Sequence, residues 1–508
     1  MSKRIAKWLA LVMALCMAFA LAVPAAAAED TTLNVGVMSD TDGFDPAETT
    51  NYIGCNLVYE TLVDMDPATS EPVGILAESW EYQDDTHLYV KLYDDATFSS
   101  GNPVTSQDVY DSWYRNVENT TSNSNTMDFI DWDNWEFIND KEFVISYKDV
   151  FGPAINYMTM CCFSVIDTTA MADATSEDFW SAPIGSGPYL VKENVSGSYS
   201  SYVRNEDYWN KDAMPEATEI TINNYSDAST MFIDFETGNL DIAFNLDETD
   251  ANRVANGDVE DATLVEIATE NVHSIAFPEY TEVLSDVRVR EALAYAIDVE
   301  DVTDIAFGSL GTVASSILPV GIQNALDVGV QEYDSEHAKE LLEEAGYQPG
   351  DITLHLVIVG APTNERMATA VQSYWDAIGV TLDIESCDLA TAISHFKASE
   401  TDIVLDQGAT VTMDPYEKLM MSLDSSTNAT IRITDPDFNA SLRAGVATTD
   451  EAARSEAYEA AQQWIHDNYR IIPICEIQEA EVFRASKIEA LNTFTDECMT
   501  LRYVTFVG

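Results

Sequence analysis

A strand–helix–strand pattern in residues 352–385 constrains the fold of this chain more than any other feature of its sequence. Ile352–Val359 has the composition of a strand, a helix capped near Asn364 should follow it, and Gly379 should end that helix. The apolar residues on one helix face are Met367, Val371, Trp375 and Ile378, and those that alternate in the second strand are Val380, Leu382 and Ile384. Such a crossover joins neighbouring parallel strands, so the pattern predicts a parallel sheet and an α/β domain.

Other segments extend this α/β pattern along the chain. Strands with alternating apolar residues are predicted at 32–38, 87–93, 142–147 and Glu219–Asn224. Helical spacing begins just after Asp286 and again over 334–347, where Gly346 is well placed to end the helix. Strand and turn signals dominate between about 54 and 182, which predicts a β-rich insertion in the first half of the chain.

The length and charge of the chain narrow its function. Its 508 residues leave room for about three domains and a large core. It carries 88 Asp and Glu against 24 Lys and Arg, a formal net charge of −64. Because binding to nucleic acid or to an anionic membrane surface depends on clustered Lys and Arg, this charge argues against both partners. We interpret the acidity as a solvated surface, with steering of a cationic ligand and adaptation to high salt as the alternatives.

The N-terminus has the features of an export signal. Lys3, Arg4 and Lys7 form a basic segment, an apolar run extends from residue 8 to residue 23, and small residues continue to Ala28. We predict cleavage after Ala28, which leaves a mature chain of net charge 21 − 88 = −67. Lipidation at Cys16 is the alternative, although a leucine precedes it where lipoprotein signals have a small residue. Either way, we expect the protein at the periplasmic or extracellular face of the cell membrane.

Six cysteines follow the signal. They are Cys55, Cys161, Cys162, Cys387, Cys475 and Cys498. An even number in an exported protein permits disulfides in many alternative pairings, which the sequence does not rank. The adjacent pair, Cys161 and Cys162, could not bond to each other without strain, and no CxxC motif occurs. We therefore favour structural cysteines over redox or zinc-binding ones.

A search for catalytic and metal-binding motifs gives no candidate. The sequence lacks the phosphate-loop, zinc-protease and serine-hydrolase motifs, and its six histidines are scattered without the spacing of metal ligands. Acidic residues are so abundant that a pair of them is weak evidence for a glycosidase. We expect no catalytic residues, no metal and no cofactor.

A series of short motifs, each weak alone, occurs in an order typical of one family. They are 43–47 (GFDPA), 58–63 (VYETLV), 75–80 (ILAESW), 98–109 (FSSGNPVTSQDV), 183–189 (PIGSGPY), 204–209 (RNEDYW), 237–243 (TGNLDIA), 286–298 (DVRVREALAYAID), 338–347 (AKELLEEAGY) and the pair Asp414-Pro415. Together they resemble the extracellular solute-binding proteins of family 5, the peptide/nickel class of receptors for ABC importers. The resemblance spans nearly the whole mature chain.

This resemblance implies a two-lobed, periplasmic-binding-protein-like α/β fold of class II (cluster C), with an additional β-rich domain. The implied division is a signal peptide at 1–28, a first lobe at 29–53, 183–275 and 486–508, a β-rich domain at 54–182, and a second lobe at 276–485. Two crossover strands would join the lobes, and hinge closure would bury the ligand in the cleft between them.

By the same resemblance, two segments should face the ligand. The first-lobe segment is Thr49, Thr50, Asn51 and Tyr52, and the second segment, the cleft loop, is Gly408, Ala409, Thr410, Val411, Thr412, Met413 and Asp414. In peptide-binding members the cleft loop carries a Trp and an Asp that pairs with the peptide α-ammonium, and here Gly408 and Val411 take those positions. Valine cannot neutralise an ammonium, which weakens the case for ordinary peptides. Asp406 and Asp414 are the possible substitutes, although a structural role for an aspartate before proline is the simpler interpretation.

The resemblance predicts an extracytoplasmic receptor of an ABC importer, which captures a small solute and delivers it to the permease subunits in the membrane. An oligopeptide or dipeptide is the preferred ligand, and the receptor is expected to be a monomer. The alternatives are a same-fold receptor for a nickel chelate, a sugar or another small organic ligand, a sensory receptor, and an exported carboxylate-based hydrolase.

Overall fold

The structure is a computed structural model, and it describes residues 31–38, 43–49, 52–66, 69, 71–119, 121, 123–319, 321–407, 412–421, 423–424, 431–491 and 501–508. The predicted signal peptide, the alternative lipidation site at Cys16, and Cys498 lie outside these residues.

The strands of the described residues are numbered in chain order. They are β1 (Thr32–Val37), β2 (Val63–Met65), β3 (Pro72–Gly74), β4 (Ala77–Asp84), β5 (His87–Leu92), β6 (Glu136–Asn139), β7 (Glu142–Ser146), β8 (Tyr189–Val195), β9 (Tyr199–Arg204), β10 (Glu219–Asn224), β11 (Ile242–Ala243), β12 (Thr263–Ala276), β13 (Gly311–Val313), β14 (Ile352–Val359), β15 (Val380–Cys387), β16 (Val404–Asp406), β17 (Ile471–Phe483), β18 (Ile488–Ala490) and β19 (Thr505–Phe506).

The α-helices are numbered in the same way. They are α1 (Tyr52–Val58), α2 (Ser106–Glu118), α3 (Ala154–Tyr157), α4 (Thr168–Asp173), α5 (Ser176–Ser181), α6 (Ala228–Glu236), α7 (Glu248–Ala255), α8 (Val287–Tyr295), α9 (Val299–Phe307), α10 (Ser335–Ala345), α11 (Pro362–Ala377), α12 (Leu389–Ala398), α13 (Pro436–Val446) and α14 (Glu451–Asp467).

One mixed sheet runs through both lobes. Its strand order is β16-β12-β17-β11-β1-β10-β9-β8, and β13 also pairs with β17. In the first lobe β1 lies parallel to both β10 and β11, so it occupies the interior of the sheet. Its side chains Leu33, Val35 and Val37 are fully buried, as the alternating pattern in the sequence predicts.

The two longest strands, β12 and β17, pass from one lobe to the other. At one end, Thr263 pairs with Phe483, and Phe483 also pairs with β11 of the first lobe. At the other end, Ala276 pairs with Ile471 and also with β16 of the second lobe. The antiparallel register shifts between residues 268 and 272 and again after residue 273. These strands are the connection between the lobes of the two-lobed fold.

The second lobe contains the predicted strand–helix–strand unit. Strands β14 and β15 are parallel and in register from Ile352 opposite Val380 to Val359 opposite Cys387. A bridge between residues 356 and 403 joins this pair to the segment that leads into β16. Helix α11 packs on the pair through Trp375, which is fully buried and donates a hydrogen bond from its indole nitrogen to the Leu293 carbonyl at 3.0 Å.

A separate four-stranded antiparallel sheet, in the order β4-β5-β7-β6, forms the centre of what we call the β-rich region, residues 77–165. Helix α2 begins with a capping box between Thr105 and Asp108 and buries Trp113 against the sheet. The Trp113 indole donates to the Phe163 carbonyl at 2.7 Å. A hydrophobic core of its own, which includes Phe143, Ile145 and Phe163, holds this region together.

Most predicted elements are confirmed, with small shifts of their ends. Strands β1, β5, β7 and β10 and helices α8 and α10 occupy the predicted segments, and Gly346 ends α10 with φ 95°. Helix α11 begins at Pro362 and not near Asn364, because proline is well suited to the first helical turn. The Asn364 amide instead donates to the Val359 carbonyl at 3.0 Å. The parallel pairing predicted for the strand–helix–strand unit is confirmed in β14 and β15, whereas the sheet that runs through both lobes is mixed, since β12 and β17 are antiparallel.

The other sequence predictions have different outcomes. The two-lobed α/β fold is confirmed, whereas the exact domain limits remain predictions. Cysteines 55, 161, 162, 387 and 475 form no disulfide with one another, and all but Cys387 are buried. None of the helices among the described residues has the length and apolar composition that crossing a membrane requires.

Candidate functional site

The second-lobe side of the candidate site begins at the end of β16. Asp406 is buried there, and the chain then enters the cleft loop, residues 408–414. The described part of this loop is Thr412, Met413 and Asp414, and all three residues are buried. Met413 has φ 56°, a left-handed conformation that is uncommon for a residue other than glycine. The chain therefore turns sharply as it leaves the loop.

Glu417 holds the end of the cleft loop. Its Oε2 accepts hydrogen bonds from the Thr412 backbone N–H at 3.0 Å and from the Thr412 hydroxyl at 3.1 Å. Burial raises the pKa of the Glu417 carboxyl to about 7, and the bonds from Thr412 only partly oppose this rise. Glu417 therefore exchanges its proton near neutral pH.

Asp414 forms a buried ion pair within the second lobe. Its Oδ2 accepts from the guanidinium of Arg454, and its Oδ1 accepts from the Tyr416 backbone N–H at 2.9 Å. Arg454 also donates through Nε to the Gly445 carbonyl at 3.1 Å. Since both carboxylate oxygens are engaged, Asp414 could neutralise a ligand ammonium only if this ion pair were weakened.

Lys418 and Asp406 form a second buried ion pair, in which Nζ lies 2.6 Å from Oδ2. Lys418 is 1% exposed and Asp406 is 7% exposed. His273 of β12 interacts electrostatically with both, and its pKa falls to about 4, chiefly because the imidazole is buried and secondly because Lys418 is positive. His273 is therefore neutral near pH 7, and this wall of the site is polar with its opposite charges paired.

On the first lobe, the segment that leads into α1 is fixed by Asp45. The Asp45 carboxylate accepts two hydrogen bonds from the Arg115 guanidinium, at 2.9 and 2.6 Å. The Asp45 carbonyl accepts from the Thr49 N–H at 2.9 Å. Thr49 is buried, whereas the side chain of Tyr52 is 45% exposed at the start of α1. Of these two residues, Tyr52 is therefore the one that is largely accessible to solvent.

The β-rich region contacts both sides of the candidate site. Arg115, which binds Asp45, belongs to its helix α2. On the second-lobe side, the Asn156 amide donates to the Thr412 carbonyl at 2.9 Å. The Tyr416 ring lies edge-on to Phe151, with 5.2 Å between ring centroids. Both predicted ligand-binding segments are therefore attached to the same supporting region.

The structure describes only part of each predicted segment. Thr49, Tyr52, Thr412, Met413 and Asp414 are described, whereas Thr50, Asn51, Gly408, Ala409, Thr410 and Val411 lie outside the described residues. Thr49 and Tyr52 lie on the first lobe, and residues 412–414 lie on the second. Their contact with a ligand stays a prediction.

Four functional candidates were missed by the sequence reasoning. They are His273, Asn156, Glu417 and Lys418, which come from distant parts of the chain and meet only in the folded protein. One signal was present, because residues 415–421 (PYEKLMM) place a lysine next to an apolar run. A lysine in such a segment is rarely buried without a partner, which indicates a buried carboxylate nearby.

Among the residues that the structure describes, no three side chains of His, Cys, Asp or Glu are grouped so that they could hold a metal ion. His273 adds no metal ligand to the described part of the site, since its imidazole is buried beside the positively charged Lys418. The described side chains of the site form hydrogen bonds, aromatic contacts and ion pairs.

Comparison with protein families gives a match over most of the chain. The model of the bacterial extracellular solute-binding proteins, family 5 Middle, matches residues 71–430. Heme-binding protein A of Haemophilus influenzae is 26% identical over 466 residues, which cover 85% of this chain and 84% of that protein. The dipeptide-binding protein of Escherichia coli is 24% identical over 492 residues, which cover 90% of each chain. The nickel-binding periplasmic protein of Escherichia coli is 23% identical over 448 residues, which cover 82% of this chain and 83% of that protein.

Solved structures show the same fold. HbpA2 from Haemophilus parasuis has a TM-score of 0.83 at 22% identity, covering 94% of this chain and 100% of that one. NikA from Brucella suis, in complex with Fe(III)-EDTA, has a TM-score of 0.82 at 20% identity, again over 94% and 100%. The murein tripeptide-binding protein MppA in its unliganded open form has a TM-score of 0.81 at 19% identity, over 94% and 98%. These likenesses establish the two-lobed fold.

The sequence motifs, the fold and the family match agree, and they extend over most of the chain. Proteins of this kind bind ligands outside the cytoplasm and work with ABC permease components. The chain belongs to the bacterial extracellular solute-binding proteins of family 5.

Proposed function

We propose that this protein is the extracytoplasmic receptor of an ABC importer and that it captures a small, peptide-like solute between its two lobes. The observation that carries the proposal is the family match over residues 71–430 in a chain whose lobes are joined by β12 and β17. Bending of these strands lets the lobes close on a ligand, and the membrane permease then recognises the closed form. No chemical step on the ligand is needed.

The charges in the site favour one kind of peptide-like ligand. By the family resemblance, Val411 takes the position of the aspartate that pairs with the α-ammonium in peptide-binding members, and the carboxylates of Asp406 and Asp414 are paired with Lys418 and Arg454. Breaking either buried pair for a ligand ammonium would leave a buried cation without its partner. We therefore propose that the ligand is recognised through its backbone and side-chain polar groups, and that its α-ammonium contributes little.

A ligand panel on the mature protein tests this proposal. The melting temperature is measured with the dipeptide Met-Leu, the peptide Ser-Thr-Ser-Ala, heme, Fe(III)-EDTA and agropinic acid, which are named with relatives or neighbours of this chain. A ligand at a hundred times its dissociation constant stabilises the folded state by about 2.7 kcal/mol, so binding is readily seen. Each peptide is paired with its N-acetylated form, which has lost the positive charge and little else.

The two forms of each peptide separate the outcomes. We expect the free and the N-acetylated peptide to bind with dissociation constants within about threefold of each other, a difference below 1 kcal/mol. A loss of binding on acetylation would contradict the proposed recognition mode while leaving the peptide class intact. A panel in which only heme or the chelate raises the melting temperature would replace the peptide class with that ligand.

We further propose that the mature receptor is a monomer that begins near Glu29. The basic and apolar N-terminal segments and the small residues up to Ala28 support this processing. The intact mass of the exported protein distinguishes a chain starting at Glu29 from one that starts at a lipidated Cys16, and its mass in native spectra gives the number of subunits.

A further inference from the structure

The β-rich region touches the second lobe through Asp85, which accepts a hydrogen bond from the Thr449 hydroxyl at 3.3 Å, and through residues 151–157, which we call the docking segment. The sequence motifs assign no role to it, and it lies outside the two predicted ligand-binding segments. Its contacts include Thr412 and Tyr416, at the end of the cleft loop, and Val446, at the end of α13. The position of this contact suggests a link between the β-rich region and ligand binding.

An aromatic cluster forms the apolar part of the contact. Phe151, Tyr157 and Tyr416 lie edge-on to one another, with centroid separations of 5.2 Å for Phe151–Tyr416, 5.8 Å for Tyr157–Tyr416 and 5.3 Å for Phe151–Tyr157. Edge-on pairs at these distances are favourable beyond the burial of their surface. Phe151 and Tyr157 are both more than nine-tenths buried. Opening of the contact would expose rings that now shield one another from water.

Two hydrogen bonds, one from a backbone N–H and one from a side-chain amide, define how close the surfaces come. The Gly152 N–H donates to the Val446 carbonyl at 2.7 Å, and the Asn156 amide donates to the Thr412 carbonyl at 2.9 Å. A Cβ atom on Gly152 would lie 2.4 Å from the Thr448 carbonyl oxygen and 2.7 Å from Nε of Arg454. Since such distances are shorter than atoms tolerate, only glycine fits here while the surfaces remain in contact.

The hydrogen bond from Asn156 restrains Thr412, at the described end of the cleft loop. Thr412 offers its carbonyl to Asn156 and its N–H and hydroxyl to Glu417, so its peptide groups are held from two directions. The next residue, Met413, has the left-handed φ of 56°. A residue other than glycine keeps such a conformation when its surroundings hold it there.

The β-rich region holds the first-lobe segment as well. Arg115 binds Asp45 through two hydrogen bonds, and the Asn123 amide donates to the Ala47 carbonyl at 3.1 Å. One body thus contacts the backbone next to both predicted ligand-binding segments. The contact between the β-rich region and the second lobe would be lost if the second lobe moved away.

We propose that the docking segment positions the described end of the cleft loop: contact of residues 151–157 holds Thr412 and Tyr416 in the arrangement that favours ligand binding, so the β-rich region helps to shape the second-lobe wall of the site. Asn156, Gly152 and Phe151 are positioning residues, which need not touch the ligand. This proposal rests on the proposed receptor function, since the loop matters only if a solute binds in the cleft.

The contact can be tested in the full mature protein without any ligand. We compare Gly152→Ala, Asn156→Ala and Tyr416→Ala with Tyr416→Phe, which keeps the ring and its contacts. Hydrogen exchange of the peptides that cover residues 412–421 and the radius of gyration from small-angle scattering are measured at one pH. Phe137→Ala is the matched control, because Phe137 is an exposed aromatic of the β-rich region that packs on Tyr110 and Trp135 of the same region.

We expect the three disruptive variants to exchange about tenfold faster over 412–421, the effect of losing roughly one hydrogen bond or aromatic pair. Their radius of gyration should rise, while exchange over β14 and β15 stays unchanged. Tyr416→Phe and Phe137→Ala should behave as the unmodified protein. If Gly152→Ala does not fold, Asn156→Ala decides, because it removes one hydrogen bond and leaves the core intact.

Unchanged exchange and radius in Asn156→Ala and Tyr416→Ala would overturn the proposal. So would faster exchange that is uniform over the whole chain, which would show a general loss of stability and no positioning role. With Met-Leu as the probe, the dissociation constant should rise in the disruptive variants and not in Tyr416→Phe. A panel in which no ligand binds would contradict the receptor function, whereas the exchange and scattering data would still decide whether the contact positions the loop.

Discussion

Glu417 and Lys418 are neighbours in the chain, and each is buried against a different partner. Glu417 accepts from Thr412, whereas Lys418 pairs with Asp406 at the end of β16. They lie in a π-helical turn, Glu417–Met421, whose wider spacing differs from that of an α-helix. Because burial and the tertiary partner determine the charge state of each residue, local sequence patterns could not predict their chemistry.

Glu417 gives the protein a pH-dependent stability of predictable sign. Its pKa in the folded state is about 7, above the usual 4.5, so the folded protein holds this proton more tightly than the unfolded chain does. The resulting stabilisation is fully present below about pH 4.5 and is lost as the pH rises through about 7. In Glu417→Gln this part of the pH dependence should vanish.

Urea unfolding of both proteins between pH 4.5 and 8 measures this effect. The difference between the two curves isolates Glu417 from the other titrating groups, including His273, whose lowered pKa acts in the opposite sense. Parallel curves over the whole range would show that Glu417 titrates normally and that its burial has no such effect.

Replacing Lys418 is expected to destabilise the protein strongly. Lys418→Met leaves Asp406 buried without its cation, which should cost about 3–5 kcal/mol in the free energy of unfolding. Changing Asp406→Leu at the same time should recover most of that loss, since neither charge is then left alone.

Because Lys418 lowers the pKa of His273, that pKa should rise from about 4 in Lys418→Met, which NMR titration of the imidazole measures. A His273 pKa that stays at about 4 would show that burial alone sets it.

At the scale of single elements, the sequence was most informative where the periodicity was strong. The crossover at 352–385 could be predicted because one helix face is apolar and Gly379, with φ 83°, ends the helix. The antiparallel pairing of β12 and β17 could not be predicted, because their partners are about two hundred residues apart in the chain. The described site residues show the same limit, since Asn156 and Thr412 meet only through docking of separate regions.

Trp375 tests the crossover element directly. Its ring is fully buried in the core of the second lobe and stacks on Phe277, and its indole donates to the Leu293 carbonyl. Trp375→Ala should destabilise the protein by about 3–5 kcal/mol and lower its melting temperature. The exposed Val330, changed to alanine, is the matched control and should be within about 0.5 kcal/mol of the unmodified protein. Equal melting temperatures for both variants would contradict the packing described for the second lobe.

At the scale of the whole molecule, the net charge of −64 surrounds a site whose described buried charges are largely paired. If the acidity serves solubility alone, even the affinity for a cationic ligand should not depend on ionic strength. The Debye length falls from about 10 Å at about 0.1 M salt to about 3 Å at about 1 M, so a steering field would be screened over this range. We expect the dissociation constant of a dipeptide amide with a free α-ammonium to change less than about twofold, as measured by calorimetry, with the uncharged N-acetylated form as the control. A strong weakening with salt would indicate that the acidic field helps to capture the ligand.

The central claim is that a family 5 receptor binds a solute by closing its lobes and releases it unchanged. Small-angle scattering of the mature protein during titration with the panel, followed by mass spectrometry of the recovered ligand, tests it most directly. We predict that one ligand class reduces the radius of gyration, raises the melting temperature and is recovered with its mass unaltered. Conversion of the ligand to a product, or binding without any change in the radius of gyration, would contradict the account.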